Sequence, residues 1–308
     1  MALRRTQIAD HLRQRLLSGV QLGTLAHGKK LSSVRELAAE FEVDPRVVMA
    51  AYSELEREGL VEVRSRSGIF VAAADAVEGQ LQRRTADWMV NVLMEGLGRG
   101  IAAREFPDRV RQSLETVRLR VACIECNHDQ IASLSNELHD DYGVDASGVD
   151  TYTLMSGPEP PTDVQRADLL VTTRFHTVEV EPVARSLGNP WMVAELRVDP
   201  FVDIARRLPH GPVYFVLADP RFAGKLERIY RESPGASNLH TLVTGRDDMS
   251  QIPEGAPTYV TRLARERLGE KGIPRQFIPE ERTFSRETSR QIFSFIVRAN
   301  LDAIDRHS

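Results

Sequence analysis

The 308-residue sequence predicts α+β and α/β structure in one chain: a small N-terminal domain, a helical connector and a larger doubly wound α/β domain. Two observations predict this class. Between residues 31 and 71, two short helical patterns are followed by two strand-like runs. From residue 117 onward, strand-like and helix-like runs alternate, which is typical of a parallel sheet covered by helices. We therefore predict domains over residues 1–74 and 117–308, joined by a connector over residues 75–116.

The N-terminal pattern contains two helix starts with a clear chemical basis. Ser33 and Glu36 have the spacing of a capping box. Asp44 followed by Pro45 is typical of an N-cap and a first helical residue. Apolar residues at helical spacing follow each start, namely Val34, Leu37, Ala38 and Phe41, then Val48, Ala51, Tyr52 and Leu55. The sequence thus predicts two short helices joined by a tight turn.

A β-hairpin is predicted directly after the second helix. Gly59 stands where a left-handed helix C-cap is favoured, and two short alternating runs at residues 60–63 and 69–71 flank a turn. Arg64 and Arg66 lie in that turn. Helix, turn, helix and hairpin in this order predict a winged helix-turn-helix, a fold that places its second helix in the DNA major groove.

This stretch resembles the GntR family of bacterial transcription regulators over about residues 3–73. Three motifs carry the resemblance in the family's order and spacing: LSSVRELA at residues 31–38, AYSELEREGLV at 51–61 and RSGIFV at 66–71. The resemblance implies a sequence-specific transcriptional regulator that binds double-stranded DNA. A repressor is the role we favour, and activation is the alternative that the sequence leaves open.

The start of the second helix departs from the common family pattern. Asp44-Pro45-Arg46-Val47 is closer to the YtrA-like and MocR-like branches of the family than to its other members. The family threonine that often contacts phosphate is replaced by Val47.

Position within this motif predicts which residues contact DNA. Helix N-termini and cationic side chains bind phosphates, whereas the first turns of the inserted helix contact base edges. Arg46 is the best candidate for contacting a base, because a guanidinium matches guanine O6 and N7. The predicted DNA-binding residues are Ser33, Arg35, Asp44, Arg46, Met49, Arg64, Arg66 and Gly68. The alternative for each arginine is a solvated surface charge.

Charge is distributed unevenly along the chain. Residues 1–74 contain 11 Lys and Arg against 9 Asp and Glu, whereas residues 75–308 contain 29 against 35. Because this positive excess is small for a DNA-binding domain, we expect two copies to bind DNA together as a homodimer. No apolar run approaches the ~20 residues of a membrane span, and the first residues lack the apolar core of a signal peptide. We therefore expect a cytoplasmic protein.

The connector predicts an amphipathic helix. A small polar linker over residues 72–79 precedes a helical pattern over residues 80–104, and Phe106-Pro107-Asp108 is predicted to break it before a shorter helix that ends at Leu114. The apolar side of the first helix contains Trp88, Val92, Leu93, Leu97 and Ile101. This arrangement resembles the dimerisation tail of the YtrA-like regulators. The helix must pack on the second domain or on a partner copy, and we favour the partner copy.

The second domain is predicted to contain eight strands and six helices. The strands are residues 118–126, 150–154, 168–173, 191–198, 212–217, 239–244, 258–261 and 276–278. The helices are residues 128–142, 177–187, 201–208, 221–232, 262–268 and 285–304. Their order resembles a compact periplasmic-binding-protein-like sensor. A crossover near residues 195–199 would make it two-lobed, and a single lobe is the alternative.

Ligands of such sheets bind at the carboxyl ends of the strands. The predicted effector-binding residues at these ends are Glu125, Asn127, Thr172, Thr173, Arg174, His176, Asp219 and Arg221. Arg174 precedes a predicted helix start, which favours an anion, so we predict a small anionic or zwitterionic effector. The alternative for each residue is a loop or capping role, and for Arg174 it is a surface pair with Glu179 or Glu181.

The remaining chemistry-bearing residues do not predict catalysis. We interpret Cys123 and Cys126, at the end of the first strand of this domain, as small buried residues, and we predict no metal and no cofactor. The alternatives for this C-x-x-C pair are a redox motif, which usually opens a helix, and half of a zinc site, which needs two further ligands. The alternative function is a winged helix fused to an α/β enzyme, as in the MocR-like branch, whose pyridoxal phosphate needs a Schiff-base lysine. Residues 75–308 contain only Lys225 and Lys271, and we predict that both face solvent. The chain is therefore predicted not to be an enzyme.

Overall fold

A computed structural model describes residues 2–21, 25–65, 67–272, 278 and 282–307. The chain divides into two compact units, Met1–Pro107 and Asp108–Ser308, and each has its own core. Within the described ranges, no helix has both the length and the apolar character that crossing a membrane requires.

The first unit contains the predicted winged helix-turn-helix. Its helices are α1 (Ala2–Gln21), α2 (Val34–Glu40) and α3 (Pro45–Arg57), and strand β1 (Val61–Arg64) pairs antiparallel with β2 (Gly68–Val71). The two predicted helices and the hairpin are confirmed, and α1 is an additional helix that packs on α3.

The predicted capping chemistry is confirmed. Ser33 Oγ accepts a hydrogen bond from the Glu36 N–H at 3.2 Å, and Glu36 Oε2 accepts one from the Ser33 N–H at 2.7 Å. Asp44 Oδ1 accepts from the Arg46 N–H at 2.7 Å, which starts α3. Gly59 follows α3 with φ 70°, in the left-handed region that glycine adopts without a steric penalty. These contacts fix where both helices begin and where α3 ends.

The core of the first unit holds α3 firmly between α1 and the hairpin. The predicted stripe of α3 is fully buried, and it consists of Val48, Ala51, Tyr52 and Leu55. The Tyr52 hydroxyl donates to the Ser32 carbonyl at 2.7 Å. Arg13 of α1 is also buried, and its Nε donates to Glu58 Oε2 at 2.7 Å. Because α3 is anchored on this side, its opposite side is the surface that it presents to solvent.

The connector differs from its prediction in two places. The predicted linker at residues 72–79 is helical from its third residue, because α4 spans Ala74–Gly98. The run of alanines at residues 72–74 and 76 explains this, since alanine has the highest helix propensity. Phe106-Pro107-Asp108 does not break a helix but begins α5 (Phe106–Glu115), where proline fits the first turn.

The second unit contains two sheets, and all of the strand pairings within them are parallel. The first sheet has the order β4-β3-β5-β6, from β3 (Arg120–Glu125), β4 (Asp145–Asp150), β5 (Leu169–Thr172) and β6 (Trp191–Val193). The second has the order β8-β7-β9, from β7 (Val213–Leu217), β8 (Leu239–Val243) and β9 (Thr258–Val260). The predicted α/β class is confirmed.

Helices cover both faces of the first sheet. The helices of this unit are α6 (His128–Tyr142), α7 (Thr151–Met155), α8 (Thr162–Gln165), α9 (Thr177–Leu187), α10 (Asp199–Arg207), α11 (Pro220–Tyr230), α12 (Arg262–Gly272) and α13 (Arg286–His307). Val121 and Cys123 of β3 pack with α6, whereas Ala122 and Ile124 pack with α9. Successive side chains of β3 therefore alternate between the two faces of the sheet.

Two predicted strands of this unit are wrong in position or length. Residues 150–154 were predicted as a strand, but the observed strand, β4, ends at Asp150. The following residues form α7, because Asp150 Oδ1 accepts from the Tyr152 N–H at 2.9 Å and caps that helix. Gly148 lets β4 lie against α6, because a Cβ there would come within 2.1 Å of Ile131 Cγ2. Residues 194–198 leave the first sheet after β6. Of the predicted strand 276–278, residues 276 and 277 lie outside the described residues.

The start of α6 joins the two sheets. Asp129 is 1% exposed, and its carboxylate accepts from the N–H groups of Ala218 at 3.0 Å and Asp219 at 2.7 Å, just after β7. It also accepts from the hydroxyl of Thr261, just after β9. In return, Asp219 Oδ2 accepts from the His128 N–H at 2.9 Å. The carboxyl ends of β3 and β7 are therefore bound to each other.

Candidate DNA-binding and effector sites

The solvent-facing side of α3 carries the two predicted base-contacting residues. Arg46 and Met49 are exposed and lie three residues apart in the first turns of the helix. Val48 and Ala51 lie on its buried side. Arg35 is exposed on α2. The structure thus leaves a guanidinium and a thioether side chain in the position from which an inserted helix contacts base edges.

Two of the predicted DNA-binding residues, Ser33 and Asp44, stabilise helix ends in this unit. Ser33 caps α2, and Asp44 caps α3. Both lie at helix N-termini, where backbone N–H groups favour an anion such as phosphate. Their contact with DNA stays a prediction.

The hairpin places further positive charge beside these helices. Arg64 donates from Nη2 to Glu62 Oε2 at 2.9 Å, and its guanidinium lies 4.5 Å from the centre of the Phe70 ring. Gly68 has φ 116°, and a Cβ there would lie 2.7 Å from Cε of Lys30. Arg66, predicted to lie at the hairpin tip, is outside the described residues.

Three of the predicted effector residues come together at the carboxyl end of the first sheet. They are Glu125, the last residue of β3, and Thr173 and His176, which follow β5. Glu125 is fully buried, accepts from the Thr173 hydroxyl, and has Oε2 3.2 Å from His176 Nε2. Burial raises the pKa of Glu125, but His176, Lys225 and Thr173 outweigh that effect and hold it below its usual range.

Lys225 belongs to this site, and its predicted solvent-facing position is wrong. It is 8% exposed, and its Nζ donates to Gln130 Oε1 at 2.6 Å and lies 3.6 Å from Glu125 Oε2. Nζ also lies 4.6 Å from the centre of the Phe175 ring. The sequence did contain a signal for this burial. Lys225 lies three residues after the apolar Phe222, and residues three apart share one face of a helix.

The two cysteines have different environments. Cys123 is buried as predicted, whereas Cys126 is only partly buried. Proximity to His176 lowers the pKa of the Cys126 thiol, and burial opposes that change. Cys126 therefore lies in the same cluster as Glu125 and His176, which the sequence interpretation did not predict.

Two predicted effector residues stabilise the first sheet and the start of α6. Asn127 Oδ1 caps α6 by accepting from the Gln130 N–H at 3.0 Å. The Thr172 hydroxyl donates to the Ile124 carbonyl at 2.8 Å. Both side chains are fully buried, so these hydrogen bonds satisfy polar groups that would be costly to leave unpaired.

Asp219 and Arg221 form a second group at the end of β7. Arg221 Nη2 donates to Asp219 Oδ2 at 2.6 Å, and its Nη1 donates to Asp150 Oδ2 at 2.6 Å. Burial raises the pKa of Asp219, but hydrogen bonds from Arg221 and the His128 N–H lower it well below its usual range. The carboxylate of Asp219 is therefore charged and paired at neutral pH.

Arg174 is exposed and has its guanidinium 5.0 Å from the centre of the Phe175 ring. Within the described part of the chain it forms no ion pair. The sequence offered Glu179 and Glu181 as surface partners of Arg174, but both contact other groups. Glu181 pairs with Arg185 at 2.6 Å, and Glu179 Oε1 lies 3.7 Å from His176 Nδ1.

The geometry of the first unit defines a winged-helix DNA-binding protein. Residues 4–71 match the family model "Bacterial regulatory proteins, gntR family". The chain belongs to the GntR family, and it is a DNA-binding transcriptional regulator.

Three relatives illustrate the match. The HTH-type transcriptional regulator Rv1152 of Mycobacterium tuberculosis is 33% identical over 95 residues, which cover 31% of this chain and 78% of the relative. The uncharacterized HTH-type transcriptional regulator YhcF of Bacillus subtilis is 37% identical over 93 residues, 29% of this chain and 74% of the relative. The HTH-type transcriptional repressor YtrA of the same organism is 37% identical over 78 residues, 24% of this chain and 57% of the relative.

Replacing Arg46 tests the predicted contact with a base. We expect Arg46→Ala to weaken binding to a selected operator by about 1–3 kcal/mol and to relax the preference at one base pair. Arg57→Ala, at the other end of α3, is the matched control and should have little effect. Fluorescence anisotropy on the operator, its single-base variants and random DNA measures both effects. Equal losses on operator and random DNA for Arg46→Ala would reject a base contact.

Proposed function

We propose that this regulator binds a pseudo-palindromic operator as a homodimer, and that a small anionic or zwitterionic metabolite in its second unit modulates that binding. The exposed Arg46 and Met49 on an anchored α3 carry the DNA-binding part of the proposal. Residues 1–74 would be the DNA-binding domain, residues 75–116 the dimerisation segment and residues 117–308 the effector-binding domain. Relatives that match the first domain are regulators, which supports a sensor in place of an enzyme.

The homodimer is supported by the exposed apolar side chains of α4. Val90, Met94 and Leu97 have the i, i+4, i+7 spacing of one helix face, and they are 58%, 62% and 51% exposed. Trp88 and Met89 are exposed on the same helix. A helix that leaves so much apolar surface in water gains most by packing against the same surface of a second copy.

A charge on this face should separate the two copies. We expect the wild-type chain to sediment as a dimer and Met94→Glu to sediment as a monomer, because a carboxylate is costly to bury in an apolar interface. Loss of the second DNA-binding domain should weaken operator binding on the order of a hundredfold. Asn91→Glu, one residue off the stripe, is the control for the added charge. A wild-type monomer at operator-saturating concentrations would contradict the proposal.

The effector proposal rests on the polar groups at the carboxyl ends of the two sheets. We infer that the sheets form two lobes and that the ligand binds between them, near Arg174 and Arg221. Arg174 has no ion pair among the described residues, and its guanidinium can bind a carboxylate or phosphate through two hydrogen bonds. A neutral ligand would gain little from this group.

A thermal-shift screen with a panel of carboxylates and sugar phosphates tests the effector site, since a ligand of the folded state raises the melting temperature. For any compound that stabilises the wild type, we expect Arg174→Ala to weaken binding about tenfold or more, through the loss of charge-assisted hydrogen bonds. Arg185→Ala, which removes an arginine paired with Glu181 on α9, is the control. Unchanged affinity in Arg174→Ala would eliminate the anion-binding role.

A further inference from the structure

Three donor atoms of different elements converge at the carboxyl end of the first sheet. A carboxylate oxygen of Glu125, the sulfur of Cys126 and a ring nitrogen of His176 all lie within 4.8 Å of one another. Glu125 ends β3, Cys126 directly follows it, and His176 follows β5, which is the neighbouring strand. The parallel pairing of these two strands therefore brings the donors together. We call them the Glu-Cys-His cluster.

The imidazole of His176 is half-buried, and its two ring nitrogens are enclosed. Both ring nitrogens are shielded from solvent, and neither has a hydrogen-bond partner among the described residues. Nε2 lies 3.2 Å from Glu125 Oε2, an ion-pair distance when the imidazole is protonated. Two ligands of one tetrahedral Zn²⁺ ion, each at ~2.0–2.1 Å, would be about 3.3 Å apart. The spacing thus fits two ligands that share a metal ion.

The other contacts of the cluster hold its donors in place. Glu125 also accepts from the Thr173 hydroxyl, and Asn127 Nδ2 lies 3.8 Å from the sulfur of Cys126. Such hydrogen bonds behind the ligands orient them and tune their affinity.

Lys225 lies beside the cluster but does not occupy it. Its Nζ donates to Gln130 Oε1 and faces the Phe175 ring, whereas its 3.6 Å distance to Glu125 Oε2 is too long for a hydrogen bond. Its positive charge opposes a bound cation. Lysine at this position therefore lowers metal affinity without blocking the ligands.

From this geometry we propose that Glu125, Cys126 and His176 bind a divalent transition-metal ion of the zinc type. The mixed sulfur, nitrogen and oxygen donor set suits a borderline metal such as Zn²⁺ or Co²⁺ and disfavours Mg²⁺ and Ca²⁺. Three protein ligands leave one coordination position for an exogenous oxygen ligand. The bound form contains a thiolate and a neutral imidazole, so binding releases their protons to the solvent. This site goes beyond the proposed regulation, and its test does not involve DNA.

Cobalt titration of the full chain tests the proposal directly. In the presence of a non-chelating phosphine reductant, we expect one Co²⁺ per chain, with a thiolate-to-cobalt charge-transfer band and the visible bands of tetrahedral Co²⁺. Added Zn²⁺ should bleach both. Cys126→Ser should abolish the charge-transfer band, and His176→Gln should weaken Co²⁺ binding about tenfold or more. Cys123→Ala, which removes the buried cysteine of β3, should keep the full spectrum.

Two further measurements separate a metal site from a cluster of ion pairs. Lys225→Met should strengthen Co²⁺ binding about tenfold, because it removes a nearby positive charge. Zn²⁺ should protect Cys126 from iodoacetamide, as measured by mass spectrometry. Circular dichroism checks that each variant is folded. No charge-transfer band in the wild type at excess Co²⁺, or a band that persists in Cys126→Ser, would overturn the proposal.

Discussion

The second unit depends on the buried carboxylate of Asp129. Buried backbone N–H groups at the end of a strand need hydrogen-bond acceptors. Where β7 ends, the carboxylate of Asp129 accepts from the N–H groups of Ala218 and Asp219. Burial raises the pKa of Asp129, and its hydrogen bonds with Thr261, Ala218 and Asp219 oppose that rise. A charge in such a position is retained only when it is fully hydrogen-bonded. The first residues of α6 are therefore bound to the ends of two strands of the other sheet.

This constraint determines which residues can form the candidate sites. Asn127 caps α6 and His128 donates to Asp219, so the chain around Asp129 holds the end of β3 in a fixed position. Glu125 and Cys126 immediately precede it. Lys225 of α11 donates to Gln130 of α6, which adds a further polar contact between the helices that follow β3 and β7. A ligand or metal ion at the end of β3 would therefore act on the same residues that bind the two sheets together.

Coupling from such a site to DNA requires only a modest energy. An effector that changes operator affinity by about 5–150-fold needs a coupling free energy of about 1–3 kcal/mol. That amount is comparable to one or two charged hydrogen bonds of the kind that Arg174 or Arg221 could form with a ligand. The family of this chain establishes DNA binding, and control of that binding through the second unit is part of the proposal.

The sequence predicted the DNA-binding unit better than the site in the second unit, for physical reasons. Capping at Ser33 and Asp44 is local chemistry, so it could be predicted from neighbouring residues. The polar strand β4 lacks an apolar alternation, and its pairing with β3 is decided by packing on α6. The position of Lys225 depends on how α11 lies against the end of β3, which no single segment encodes. Cys126 likewise becomes a candidate metal ligand only because His176, which follows β5, lies beside it in the fold.

Asp129 holds the two sheets of the second unit together at the edge where the candidate sites lie. Urea unfolding of the full chain, combined with amide hydrogen exchange, tests it in Asp129→Ala and in the control Asp163→Ala, whose carboxylate is exposed on α8. Loss of the acceptor for two buried N–H groups predicts about 2–5 kcal/mol lower stability and faster exchange at Ala218 and Asp219 in Asp129→Ala alone. Equal stability and equal exchange in the two variants would contradict the claim.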